Sequence, residues 1–386
     1  MRGRWRGGAY SGEATIGRVR AVISSFALTA RVIAEGFLPA KSALLQGPAE
    51  PVAGPAPADR IRGMLLGLAI GDALGNTSES LTAAERAAEF GEVRDYCPNW
   101  RADGRRVGLP SDDSQLAFRT IESMLERGGV DPEDLAARFA SQEIFGVGQS
   151  VRQFLQNRAQ GVVPWYRCGA ESAGNGALMR IAPVVLLHPR GSSATLWLDT
   201  ALASIVTHRD ACSVASCVAF VELLSRLLRS PAPPEPDWYI TTFLQTARRV
   251  CTEQAYRPRG GQFADREGPF PDYLEHVLEA AARRGWSTRE ACDAWHSGAY
   301  LLETVPSVLW ILAHHAHDPE EAIVRAVNDT WDNDTTAAIV GSAVGALHGA
   351  DALPARWKAG LLGRTQAADD GQVFRLVEAA VRREWG

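Results

Sequence analysis

Two short segments of the chain set carboxylates beside hydroxyls. In the first, Ser111 is followed by Asp112, Asp113 and Ser114; in the second, Asp329, Asp332 and Asp334 lead into Thr335 and Thr336. Oxygen donors without thiolates or clustered imidazoles suit a hard cation, Mg²⁺ or Mn²⁺. Acids gathered in one cleft repel one another unless they are protonated or bridged by cations. A bound pair of such ions can orient a substrate and activate water. Each segment also has a plainer reading. Pro110 and Ser111 open an amphipathic run, so Ser111 is a natural N-cap and the aspartates complement the positive helix end, which is expected to keep them ionised.

The elements that would carry these residues are helical almost throughout from Asp59 onward. Apolar residues recur at three and four rather than at two; Ala117, Phe118, Ile121, Met124 and Leu125 fall on one stripe after Asp113. Strand-type alternation is scarce, so the expected fold class is all-α. Two segments carry glycine at four-residue spacing, Gly63, Gly67, Gly71 and Gly75 in one and Gly341, Gly345 and Gly349 in the other. Glycine inside a helix costs about 1 kcal/mol relative to alanine, so two bare stripes imply two backbones in close approach. The carboxylates from Asp332 to Asp334 open the second striped helix and are therefore expected to face an interior cleft.

Composition narrows the function classes. Of 386 residues, 46% are hydrophobic and 22% charged, and the net charge of −5 gives no bulk attraction to nucleic acid or to a membrane surface. No apolar run reaches the roughly 18 residues of a membrane span. Six cysteines without a CxxC pair read as buried, reduced thiols of a cytoplasmic protein. Residues 1–58 hold seven basic residues against three acidic ones and end in the proline-studded PAEPVAGPAPA. They read as a flexible extension ahead of one domain over 59–386.

Three further features bear on a ligand. Gly174, Asn175 and Gly176 could form a backbone cradle for phosphate oxygens or a plain turn. His208 stands alone in THRD and, on the residues, is more simply structural. His314, His315 and His317 end a helix, where histidines suit its negative end, and are not taken as ligands.

Taken together, GMLLGLAIGDALG (63–75), SDDS (111–114), AGNGALMRIAP (173–183), THRD (207–210), GAYLLETVPSVLW (298–310) and DNDTTAAIVG (332–341) resemble the ADP-ribosylglycohydrolase family in order and spacing. The resemblance implies a compact bundle of crossing helices around a central cleft holding two Mg²⁺ or Mn²⁺ ions. Its implied ligands are Ser111, Asp112, Asp113, Asp332, Asp334 and Thr335, with Glu79, Asp112 and Asp334 carrying catalysis. It implies that Gly174, Asn175, Gly176 and His208 bind ADP-ribose. The substrate would be an ADP-ribosylated protein or small molecule, cleaved at C1″ of the distal ribose. One departure stands out: Thr330 and Trp331 replace the two glycines that many members carry before Asp332, which puts Trp331 against substrate or into the core. Two rivals remain weaker. The diphosphate-gripping motifs of all-α isoprenoid synthases need acids that these segments lack, and a non-catalytic binding or structural protein has no need for the gathered carboxylates.

Overall fold

The computed structural model describes residues 25–383 and 385. The two glycine-striped segments form the helices Ala58–Gly75 and Asn333–His348, the first buried from Gly63 to Gly75 and the second from Asn333 to Leu347. They run antiparallel: Gly63 faces Gly345, Gly67 faces Gly341, and Gly75 lies against Asp334. A Cβ at Gly67 would overlap the Gly341 carbonyl, and one at Gly341 the Gly67 carbonyl. The obstacle is backbone on both sides, which no rotamer change relieves. Gly67→Ala is therefore expected to cost about 3 kcal/mol or more, read as a lowered midpoint in urea unfolding. An unchanged midpoint would show that the two backbones separate freely.

This pairing sets the site. Because the helices are antiparallel, the last turn of Ala58–Gly75, with Asp72, lies beside the first turn of Asn333–His348, with Asp334. The helices Asp112–Arg127, Ala211–Leu227, Leu301–His315 and Pro319–Asp329 pack around the pair. Strand is confined, among the described residues, to two hairpins of two-residue arms, Pro98–Asn99 with Arg105–Arg106 and Ala255–Tyr256 with Gly268–Pro269. The second closes the glycine- and proline-rich loop that carries Arg259. The all-α class read from periodicity is the one observed, and no described helix is long and apolar enough to cross a membrane.

The expected flexible extension differs from what is found over its described part. Residues 25–34 are helical, and Val32, Leu38 and Leu44 are buried in the common core. The Ser25 hydroxyl donates to Asp199, the Lys41 amide to the Val250 carbonyl, and the Val52 amide to the Ser192 hydroxyl. Apolar residues spaced through a proline-bearing segment hold it down where composition alone suggested a linker. Residues 1–24 lie outside the described residues.

Candidate active site

Ser111 occupies the N-cap position of Asp112–Arg127, yet its side chain makes no capping bond. The cap comes from another helix. Asp72 accepts from the Ser111 amide at 3.0 Å and the Ser114 amide at 3.1 Å, and the Ser111 hydroxyl lies 2.6 Å from Asp72 Oδ1. This corrects the N-cap reading of Ser111. Its hydroxyl instead stands between Asp72 and Asp113, 3.1 Å from Asp113 Oδ2. Thr335 Oγ1 approaches the same Oδ2 at 3.4 Å, while Asp113 Oδ1 is buried without any hydrogen-bond partner.

Two carboxylate triplets result. Asp72, Asp113 and Asp334 each offer an oxygen within 4.8 Å of the others, and so do Glu79, Asp332 and Asp334. Asp334 belongs to both. Asp112 lines the same cleft beside Gly146 but stands outside both triplets. Asp329 is turned away and pairs with Arg325. The structure brings Asp113, Asp332, Asp334 and Glu79 into one cluster and adds Asp72, which the sequence reading did not place in the site. The only sign of it was an acid inside the apolar run GMLLGLAIGDALG.

No basic side chain among the described residues pairs with these aspartates; the ion pairs next to them join Arg259 to Glu303 and Arg325 to Asp329. Burial, then repulsion from Asp72 and the neighbouring acids, pushes the Asp112 and Asp113 carboxyls well above the usual range. Burial and then Glu79 and Asp113 do the same to Asp334. Asp332 rises to about 6 through burial, against a hydrogen bond from Asn175, and Glu79 rises to about 7 through burial and Asp332. The helix ends therefore do not keep these acids ionised by themselves, as the sequence reading expected. A partial positive charge at a helix end is small against desolvation. A cation among them would remove the penalty, and the orphaned Asp113 oxygen is the kind of atom such an ion satisfies.

The cleft continues past Gly174, Asn175 and Gly176 as a cavity of about 180 Å³. Asn175 does not bond locally: its Nδ2 donates to Asp332 Oδ2 at 2.5 Å and to Thr304 Oγ1 at 3.0 Å. The two glycines differ. The space beside Gly176 is filled by the His208 ring, whereas Gly174 is ringed by polar atoms of Ser150, Ser172 and His208, each 3.3 Å from where a Cβ would sit. Beyond them lies a recess of about 390 Å³ lined by Gln149, Ser150, Ser172 and Arg209.

His208 is buried, and desolvation together with Arg180 pushes its pKa down to about 3, so the ring is neutral. Arg180 Nη2 donates to Thr207 Oγ1 at 2.6 Å, and that hydroxyl lies 2.9 Å from His208 Nδ1. Nδ1 is thus tied to Thr207, and Nε2 is the ring nitrogen turned toward Gly174 and the cleft. Two of the three histidines at the end of Leu301–His315 are engaged elsewhere, His314 Nδ1 with the Trp310 carbonyl and His315 Nε2 with the Thr288 hydroxyl, and His317 is exposed.

Comparisons with known proteins place the chain as a whole. The ADP-ribosylglycohydrolase family model covers residues 53–384. The chain belongs to that family. It is similar to the ADP-ribosyl-[dinitrogen reductase] glycohydrolase of Rhodospirillum rubrum, 26% identical over 84% of this chain and 97% of the relative. The ADP-ribosylhydrolase ARH3 of Xenopus tropicalis is 24% identical over 81% and 94%, and the ADP-ribosylarginine hydrolase Tri1 of Pseudomonas putida 25% over 78% and 73%. A solved structure, an ADP-ribosylglycohydrolase-related protein complex, aligns with a TM-score of 0.60 at 28% identity, covering 84% of this chain and 96% of its own. At the level the family fixes, this ADP-ribosylglycohydrolase is an ADP-ribosyl hydrolase. Its acid triplets sit where two glycine-paired helices end, and its all-oxygen donors fit hard divalent cations.

Proposed function

We propose that this enzyme hydrolyses the bond at C1″ of the distal ribose, releasing ADP-ribose from a modified protein or small acceptor with the help of two divalent cations, Mg²⁺ or Mn²⁺. The observation that carries the reading is the cluster of acids centred on Asp334, with Asp72, Asp113 and Asp334 buried and no ion-pair partner for any of them among the described residues. Ser111, Asp112, Asp113, Asp332, Asp334 and Thr335 would hold the ions, and Asp72 joins them as a ligand or as the anchor of Ser111. Bound there, the cations would supply positive charge to the ribose hydroxyls and to water.

The chain's own groups do the rest. Asn175 fixes the Asp332 carboxylate through its short hydrogen bond. His208 Nε2 faces the cleft beside Gly174 and is the ring atom offered to the diphosphate, the Gly174 amide already donating to Ser172 Oγ. Glu79, at the mouth of the cleft beside Asp332, is positioned to take a proton from attacking water as the C1″ bond loosens with oxocarbenium character. We assign the protein to the cytoplasm on its six buried, unpaired thiols.

The test is ADP-ribose release from arginine-linked, serine-linked and phosphate-linked substrates, with Mg²⁺, with Mn²⁺ and with chelator. Release that stops on chelation and returns with either ion is expected. Release undiminished by thorough chelation would remove the metal from the reading. Silence on every linkage, with divalent binding intact, would favour a binding protein on this fold.

A further inference from the structure

The acid triplets lie between two spaces, and only one leads toward Gly174 and the Arg209 recess. The other is a chamber of about 380 Å³ bordered by Glu79, Arg259, His296, Gly298, Trp331 and Asp332. It shares Glu79, Arg259 and Asp332 with the cleft, so the two spaces meet at the carboxylates. A substrate whose ADP-ribose runs from the carboxylates past Gly174 must send the group on its C1″ into this second chamber.

The chamber is built with some strain. His296 and Ser297 both take left-handed backbone, φ +77° and +40°, which non-glycine residues rarely adopt. The turn they make grips the segment carrying Trp331: Ser297 Oγ accepts from the Trp331 amide and the Ser297 carbonyl from the Asp332 amide. From the other side, buried Arg86 donates to the Thr330 carbonyl at 2.8 Å. The His296 ring meets the Trp331 indole edge-on, with centroids 4.3 Å apart, and Gly260 is bare where a Cβ would press on that ring. Trp331 is nonetheless 37% exposed, an indole fixed at its backbone and left open to the chamber.

The charges around the chamber are unequal. Arg259 is its one bordering cation, and it is committed. Its Nη2 and Nε bond the two oxygens of fully buried Glu303, its amide donates to the same carboxylate, and its guanidinium lies over Tyr300 at 5.0 Å. Glu79 has no such partner. An indole face beside an unpaired acid suits a flat cation whose edge donates hydrogen bonds. An aliphatic hydroxyl would leave the indole unused, and a phosphate would meet Glu79.

We propose that this chamber is the subsite for the acceptor, and that Trp331, held by His296 and Ser297, makes it select a guanidinium over a hydroxyl or phosphate acceptor. The inference rests on the hydrolase reading above and adds its substrate class. In the reaction the C1″–N bond breaks and its electron pair stays on the guanidine nitrogen. Water gives its hydroxyl to C1″ and its proton to that nitrogen, so free arginine side chain and ADP-ribose leave.

The experiment measures release kinetics on arginine-linked, serine-linked and phosphate-linked ADP-ribose, and calorimetric binding of free ADP-ribose, for the wild type, Trp331→Ala and Trp331→Phe. The wild type is expected to prefer the arginine linkage. Trp331→Ala should raise KM for that substrate roughly 10-fold with kcat within about twofold, leave KM for the other linkages nearly unchanged, and leave ADP-ribose affinity unchanged; Trp331→Phe should recover most of the loss. Equal effects on every linkage, or a wild-type preference for the hydroxyl or phosphate linkage, overturn the acceptor assignment while ADP-ribose still binds. Absence of both release and ADP-ribose binding in the wild type instead sinks the hydrolase reading, and this inference with it.

Discussion

Asp334→Ala is expected to reduce ADP-ribose release about a thousandfold or more while leaving the far-UV circular dichroism of the folded protein intact. Asp334 is the one acid shared by both triplets, so its loss removes a donor from each potential cation position at once. Several kcal/mol of charge stabilisation in the reaction then disappear, and about 4 kcal/mol corresponds to three orders of magnitude in rate. Folding should not suffer. In the ion-free protein Asp334 is held among like charges, pushed up by burial, Glu79 and Asp113. Asp334→Asn, which keeps the shape and removes the charge, should therefore unfold at a higher temperature than the wild type in chelator. Normal turnover by the alanine variant would remove the site from the reading altogether.

The pattern of what the sequence revealed follows from how far each interaction reaches along the chain. The glycine stripes were legible because their four-residue spacing is locked to the helical repeat, and a bare face at that period has few uses besides a close backbone. SDDS and DNDTT were legible because their oxygens are consecutive. Asp72 was not, since within its own helix it is only an acid on a buried face; its partners, Ser111 and Ser114, lie 39 and 42 residues away. The same distance hides the capping of Asp112–Arg127, which local rules assign to Ser111 and the fold assigns to Asp72. Arg259 and Glu303 pair across 44 residues between a loop and a helix start, and no local pattern marks either. The N-terminal segment shows the reverse error. Its composition resembles a linker, but Val32, Leu38 and Leu44 are enough to anchor it in the core.

Ionisation at the site could be read from neither motif, because it depends on how many acids the fold brings together, and that dependence gives a second large expected effect. In chelator, the stability of the protein should fall as pH rises from about 5 to 8. The unfolded chain titrates near 3.9 at aspartate and 4.3 at glutamate. Folding raises Asp332 to about 6 and Glu79 to about 7, and raises Asp112, Asp113 and Asp334 well above their usual range. A group raised on folding binds more protons folded than unfolded between its two values. Its favourable contribution is whole below the unfolded value and is lost as pH climbs through the folded one. Glu79 is exposed and its share is screened by solvent, so the loss comes chiefly from the buried aspartates and is on the order of a few kcal/mol, readable as a declining Tm. Mg²⁺ or Mn²⁺ should reverse the slope, because a cation that binds the deprotonated folded site stabilises it by mass action and competes with fewer protons as pH rises. The chelated and metal-loaded Tm curves should thus lie close together near pH 5 and separate toward pH 8, and the gap should shrink sharply in Asp334→Asn. A chelated protein whose Tm stays flat over that range would mean that the acids find another partner, and the electrostatic case for cations at the two triplets that share Asp334 would fail with it.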